Sequence, residues 1–232
     1  VKYDDWLSLE GCPDFNVCPR CFKHVIDKTQ FGSAFRPLHA NSPRMPRRCE
    51  FSSPWIRLAW VLTTNNRQST LNMMKAVFKA DETEEPCPGI ERGWCNWYSI
   101  RDRDGHFLRN FIVCPSDVKR VELLFPGFRG LLVPLPTRFS YEDDDDILGR
   151  FCSLRPENNN RFAAYIDCLF QLHEDAVSAK RLPIMSDFVT LVRHRTRQPE
   201  CIRDDKLQGV DWYFVPSLAP AMTVCDECYN DV

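Results

Sequence analysis

Cysteine is the residue type with the most chemistry to offer in this sequence: 12 occur in 232 residues, four of them in the pairs Cys18/Cys21 and Cys225/Cys228 at C-x-x-C spacing. Two thiolates so spaced can grip one metal ion, exchange a disulfide, or join a disulfide framework in an oxidising compartment. Structural zinc is the favoured reading. Disulfides across C-x-x-C are mostly redox-active, and the motif recurs here in a form that keeps the scaffold while changing a cysteine.

Three segments share one pattern: 15–25, 111–121 and 222–232. Each reads apolar residue, any residue, Val, Cys, two residues, Cys or Asp, apolar residue, with Val four positions after the second ligand. The middle copy carries Asp117 where the others carry Cys21 and Cys228. Aromatic residues lead in: Trp6 and Tyr213 each stand twelve residues before Cys18 and Cys225, and Trp97-Tyr98 precede Cys114. Between aromatic and cysteine lies turn chemistry, clearest in Asp102-Arg103-Asp104-Gly105, a hairpin signal between apolar stretches. After Cys114, Val118, Val121, Leu124 and Phe125 fall at helical spacing before Pro126-Gly127. Each unit is therefore expected to run strand, turn, strand, C-x-x-C, helix, with the ligand pair at a helix N-terminus, where free backbone N–H groups favour thiolate. This arrangement resembles the second half of a treble-clef zinc finger. The resemblance implies zinc, and the knuckle that would precede the hairpin is missing from the pattern.

A tetrahedral zinc site wants four ligands. One lone cysteine in a similar basic context accompanies each repeat, assigning Cys49 to Cys18/Cys21, Cys152 to Cys114/Asp117 and Cys201 to Cys225/Cys228. Candidates for the fourth ligand are Cys12, His24 and His39 at the first site, Cys87 and Cys95 at the second, and His194 at the third. Because carboxylate binds zinc less strongly than thiolate, the Asp117 site is expected to be the weakest, giving two or three ions in all. Cys168 lies in an apolar helical stretch and reads as core.

The elements between the repeats are helical. Ser53-Pro54 reads as N-cap and first helical residue, with Trp55, Leu58, Ala59 and Leu62 on one face. Further helices are expected over 70–79, 161–179 and from a Ser186 cap to Arg195, the last with Phe188, Leu191 and Val192 inward. The fold class is thus α+β: three strand-turn-strand-CxxC-helix units, treble-clef-like, joined by helical segments. The corresponding divisions are 1–85, 86–160 and 161–232, or one compact domain overall.

A hydrophobic content of 44% excludes disorder for most of the chain, and a net charge of −2 gives no global field for nucleic acid or an anionic membrane. No apolar run approaches the roughly 18–20 residues that span a bilayer. The acidic run 142–146 reads as a solvated loop. Arg-rich segments at 36–48 and 193–203 are local patches that could meet phosphates. There is no Gly-rich phosphate loop, no G-x-S-x-G and no H-E-x-x-H, so no catalytic residues are assigned.

Segments 111–124, 161–167 and 222–232 resemble stretches of an uncharacterised Cys-rich protein family of filamentous fungi. The resemblance implies an intracellular fungal protein, in cytoplasm or nucleus, and transfers no activity; Asp117 departs from its pattern where a Cys is expected. The function expected is a non-enzymatic, zinc-stabilised protein-interaction or scaffold module. The alternatives are a nucleic-acid- or chromatin-associated zinc protein and a thiol oxidoreductase using Cys18 and Cys21.

Overall fold

The computed structural model describes residues 5–38, 47–136, 150–157, 159–197, 200–201, 212–215 and 219–229. The chain divides into two compact units, Val1–Thr83 and Glu84–Val232. Helices and small antiparallel sheets make up both, an α+β architecture.

In the first unit, strands β1 (Leu7–Leu9) and β2 (Cys12–Val17) form a tight hairpin, and β3 (Phe35–Pro37) adds to the far side of β1. Gly11 makes the turn with φ of +78°, a left-handed conformation that a side chain would strain. Leu9 thereby pairs with Cys12. The inward side of β2 carries Cys12, Phe15 and Val17, all buried. A three-residue helical turn, α1 (Pro19–Cys21), follows and continues as a π-helical segment, Phe22–Ile26.

Helix α2 (Pro54–Asn65) opens where the sequence places it, with extended backbone at Ser53 and Pro54 as first helical residue. No side-chain cap bond from Ser53 is formed, so proline geometry alone sets this start. Its buried stripe is wider than the expected face: Ile56, Trp60 and Thr63 go inward, while Leu58 is half-buried. The added indole matters, because Trp60 stands edge-on to Phe31 and Phe51 at 5.9 and 5.7 Å. Helix α3 (Asn72–Phe78) packs on α2 and delivers Phe78 edge-on to Phe15 at 5.0 Å; α4 (Ala80–Thr83) ends the unit.

The second unit is built round an irregular hairpin. Strand β4 (Tyr98–Ser99) bridges Val113 on one side and pairs with β5 (Val133–Pro134) on the other. The Asp-Gly turn forms as the sequence predicts. Arg101 bridges Phe107, Gly105 has φ of +80°, and Asp102 Oδ1 accepts the N–H groups of Asp104 and His106. Ser99 is fully buried, and its hydroxyl lies 3.0 and 2.7 Å from the carbonyl oxygens of Leu108 and Phe111. Helix α5 (Pro115–Leu124) leaves the hairpin directly.

Helix α6 (Arg161–Ser178) buries Phe162, Tyr165, Ile166, Leu169, Leu172 and Ala176, a stripe at helical spacing. Cys168 lies at the margin of that stripe, half-buried, not in the core as the sequence suggests. Helix α7 (Ser186–Arg195) starts one residue earlier than expected: Met185 occupies the cap position and Ser186 is already helical. Val189 goes inward in place of the expected Leu191. Phe111, Tyr165 and Phe188 form a ring cluster with centroids 5.1 to 5.7 Å apart, joining the hairpin to α6 and α7. Strands β6 (Trp212–Val215) and β7 (Ala219–Cys225) form the last hairpin, and α8 (Asp226–Tyr229) follows it without a break.

Strand register corrects the aromatic lead-in of the repeat. The valine preceding the first ligand faces Leu7, Tyr98 and Tyr213 in the three hairpins. The residue before each of these is tryptophan: Trp6, Trp97 and Trp212, the last directly opposite Cys225. Twelve-residue spacing had paired Trp6 with Tyr213, because the loops between the strands differ in length.

Phe111 is 1% exposed, three residues from Cys114, and touches both helices through its ring. Phe111→Ala is expected to cost about 3–5 kcal/mol of stability in urea unfolding. A loss under about 1 kcal/mol, the level of a tolerated swap, would show that the ring cluster does not hold the helices to the hairpin.

Candidate metal centres

Each hairpin ends by turning its last residue into a helix cap. Cys18 and Cys114 have extended backbone at the N-cap of α1 and α5, with Pro19 and Pro115 at the first helical position. The second ligand of each repeat, Cys21 or Asp117, falls three residues on. Cys114 makes no side-chain cap bond at α5, whereas in the first repeat the sulfur itself caps the helix as a hydroxyl would, the Cys21 N–H donating to Cys18 Sγ at 3.4 Å. Cys225 and Cys228 stand in the same relation at α8.

The lone cysteines arrive on a turn of their own. Ser52 N–H donates to the Cys49 carbonyl at 2.8 Å, and Arg155 N–H to the Cys152 carbonyl at 3.2 Å. Leu154 N–H, two residues on, also reaches Cys152 Sγ at 3.4 Å, as Phe51 N–H reaches Cys49. Each lone sulfur accepts the backbone N–H of the first repeat cysteine, Cys18 to Cys49 at 3.4 Å and Cys114 to Cys152 at 3.5 Å. First and second centres are thus alike in the lone-cysteine turn and in the extended N-cap backbone of the first ligand.

Three groups of ligand atoms result, each within 4.8 Å of one another: Cys18, Cys21 and Cys49; Cys87, Cys114, Asp117 and Cys152; and Cys201, Cys225 and Cys228. Sulfurs bound at about 2.3 Å to one tetrahedral ion stand about 3.8 Å apart. Each group can therefore hold a metal ion. The structure brings together each lone cysteine with the repeat to which its context assigns it.

The second centre has four ligand atoms. Cys114, Asp117 and Cys152 are wholly buried. Asp117 is held from two sides: Arg120 donates to Oδ1 at 2.6 Å, and the Cys152 thiol to Oδ2 at 3.1 Å. Cys87, one of the two fourth-ligand candidates at this site, completes the group. Burial first, and then the charges of Cys114, Glu85 and Cys87, raise the Cys95 thiol, yet it is outside the group.

The other fourth-ligand candidates are not brought to their sites. Cys12 opens β2 on its inward side and is core, because the two-residue turn at Gly11 sets it opposite Leu9. His24 and His194 are exposed on the π-helical segment and on α7, and neither joins a ligand group. His39, the acidic run 142–146 and most of the Arg-rich segment 36–48 lie outside the described residues.

A fourth group, Asp102, Asp104 and His106, sits on the hairpin turn of the second unit. Its leading carboxylate is occupied by backbone: Oδ1 takes two N–H groups and Oδ2 takes Arg193 at 2.6 Å. Burial pushes this carboxyl up, and the N–H groups of His106 and Asp104 with the charge of Arg193 bring it below the ordinary value. That is the chemistry of a turn being held.

Protonation in the thiol groups is divided. At Cys18 burial raises the thiol, and the N–H of Cys21 with its neighbours outweighs it, so the thiol ends below its ordinary value; Cys225 behaves likewise through Cys228 N–H. Burial and the neighbouring sulfurs push Cys21 and Cys201 up to about 12, and burial raises Cys49 and Cys228. At the second centre Cys87 is lowered to about 5 by hydrogen bonds from Cys114 and Cys152, while burial raises Cys152 and brings Asp117 to about 7. Groups raised above neutrality hold their protons at pH 7, and a metal ion must displace them. Affinity therefore rises with pH and falls as acid returns the protons. Adding Co2+ or Zn2+ to the reduced, metal-free protein at pH 7 is expected to release about two protons per ion, read by calorimetry in buffers of different ionisation enthalpy. Binding without proton release would place the ions elsewhere.

The sequence does not point to Glu200, Glu227, Arg155 or Asn160, which the fold brings to the third centre; their types are ordinary surface types, and the fold buries Arg155 and Glu227. No protein-family model matches the chain, and neither a curated protein nor a solved structure shows significant similarity to it.

Proposed function

We propose that this protein is a non-enzymatic scaffold, stapled by zinc at its thiolate clusters, that presents a surface to another protein. The observation carrying this reading is the second cluster: Cys87, Cys114, Asp117 and Cys152 converge from distant parts of the sequence, with three of the four side chains sealed from solvent. Four ligands, three of them fully buried, suit a closed structural site; a catalytic zinc keeps a position open to water. Thiolate-rich sets select zinc among the common divalent ions, and grouping in threes on ligand positions argues against a paired disulfide framework. The reading carries with it a reducing compartment, cytoplasm or nucleus, where thiols stay free to bind metal.

Trp212, Phe214 and Tyr229 are 42%, 58% and 55% exposed on the last hairpin and its helix, with Tyr213 stacked on Tyr229 at 4.1 Å. Exposed aromatics held on a stapled hairpin favour a protein partner. Nucleic acid is the less favoured partner, since Arg193 is engaged by Asp102 and Arg155 by Glu200. No described helix is long and apolar enough to cross a membrane.

Thiol exchange at Cys18 and Cys21 is the second reading, favoured by the lowered Cys18 thiol. The nearness of Cys49 argues for metal instead, because a third thiolate completes a ligand set and has no part in a two-cysteine exchange.

Native mass spectrometry of the reduced protein is expected to show two or three zinc ions, lost together with far-UV dichroism when a strong chelator is added. Absence of metal, with masses of paired oxidised cysteines, would overturn the reading. Asp117→Cys is expected to raise the chelator concentration that strips the second ion by about tenfold or more, thiolate being the stronger zinc ligand. Insulin reduction by the metal-free protein that disappears in Cys18→Ser would favour thiol exchange.

A further inference from the structure

The second and third centres lie in one unit, and the polar groups buried between them are not ligands. Arg155, Asn159 and Glu227 are 6%, 7% and 3% exposed. Groups of this kind cost free energy to bury unless each is partnered, so their partners show what the fold requires of them.

Arg155 donates through one guanidinium nitrogen to the carbonyl of Cys152, a ligand of the second centre, at 3.1 Å. Its other nitrogen pairs with Glu200, the residue before the third-centre ligand Cys201. The Cys201 N–H donates to Glu227, which lies inside the Cys225–Cys228 loop. Glu227 also takes the guanidinium of Arg161, and the neighbouring Asn160 reaches Cys228 Sγ at 3.7 Å. Asn159 closes the circuit: its amide donates to the carbonyls of Ser153 and Arg155, and its side-chain oxygen caps Arg161 N–H at 2.9 Å. The stretch from Cys152 to Arg161 thus holds a ligand of one centre at one end and grips the other centre at the far end.

We infer that the third centre is assembled on the second: Arg155 and Glu200, neither of them a ligand, couple the two so that filling one raises the affinity of the other. This rests on the metal reading proposed above. Emptying the second centre releases Cys152 and loosens the turn that fixes Arg155. Glu200 then loses its partner, and Cys201 must be ordered at greater entropic cost before it can bind. Coupling of binding sites is reciprocal, so loss of the third ion weakens the second by the same factor. The first centre lies in the other unit and supplies the internal control.

The test is a chelator titration of the zinc-loaded full chain, followed by a pulse of alkylating reagent and peptide mass analysis, which reports each cluster by the reactivity of its own cysteines. Glu200→Gln keeps size and hydrogen bonding and removes the ion pair; Arg155→Met also removes the bond to the Cys152 carbonyl. Both are expected to lower the chelator midpoint of Cys201, Cys225 and Cys228 by at least tenfold, leaving that of Cys18, Cys21 and Cys49 unchanged. Cys225→Ser is expected to lower the midpoint of Cys87, Cys114 and Cys152 in turn. If Glu200→Gln, whose side chain is 24% exposed and tolerant of change, leaves the third midpoint where it was, or if all three clusters shift together, the coupling is overturned while the metal reading stands. If added zinc protects no cluster in the wild-type chain, the metal reading falls and the coupling with it.

Discussion

Sulfur ligands crowded within 4.8 Å are the constraint on which the rest of this structure depends. A cluster of thiolates repels itself and, partly buried, is poorly solvated; uncompensated, it must either take up protons or take up a cation. The raised thiols of Cys21, Cys49, Cys152 and Cys201 show the first solution, and metal is the second. The hairpin and helix of each repeat serve that constraint. A strand ending at an N-cap gives the first sulfur an extended backbone, and the helical turn after it brings the second ligand to the same side, with backbone N–H groups to receive the charge. Proline at the first helical position costs no hydrogen bond there and fixes the turn in advance.

The two units meet this constraint with different supports. In the first, the aromatic core of Phe15, Phe35 and Phe78 sits directly behind β2, so the Cys18 cap is set by apolar packing. In the second, packing is joined by charge. Arg120 lies against Asp117, Arg155 against Glu200 and Arg161 against Glu227. Buried ion pairs of this kind contribute little net stability compared with apolar groups of the same shape, but breaking one by removing a partner is strongly destabilising. Each pair is satisfied only in the arrangement that brings its two partners together.

Much of this was legible in the sequence, and the reasons differ from element to element. The C-x-x-C spacing and the valine framing of each repeat are local signals, and local structure followed them: hairpin, cap, helix. Assignment of Cys49, Cys152 and Cys201 rested on one lone cysteine accompanying each repeat, and the structure groups them in that way. Fourth ligands were not legible. The sequence offers Cys12 at the first site and both Cys87 and Cys95 at the second; a two-residue turn directs Cys12 into the core, and the chain path across 27 residues brings Cys87, not Cys95, into the group of Cys114. Helix faces were read with small errors, Val189 for Leu191 and Trp60 added to α2, because a stripe's centre depends on what packs against it. The tryptophan lead-in was missed for a simple reason: counting residues along the chain cannot see register, whereas pairing across the hairpin cancels the difference in loop length.

Asp117 gives the clearest view of how chemistry and fold constrain one another. Replacing a thiolate by a carboxylate weakens an ion's hold, and at an exposed site that would be the whole effect. Here the position is sealed, so the carboxylate needs partners of its own. Arg120, three residues on along α5, supplies one at 2.6 Å; the Cys152 thiol supplies the other while it keeps its proton, and metal binding would leave Arg120 as the partner that remains. The i, i+3 spacing is a property of the helix that the repeat already possesses. Three thiolates and a carboxylate around a divalent ion leave an excess of negative charge, and a guanidinium locked against the carboxylate offsets part of it where water cannot. A cysteine at 117 would bind the ion better but could not accept the arginine's hydrogen bond as well, leaving a buried cation poorly met. The departure from the repeat is therefore compensated within its own helix. This accounts for a centre that keeps the N-cap geometry of its sister site while changing the type of one ligand.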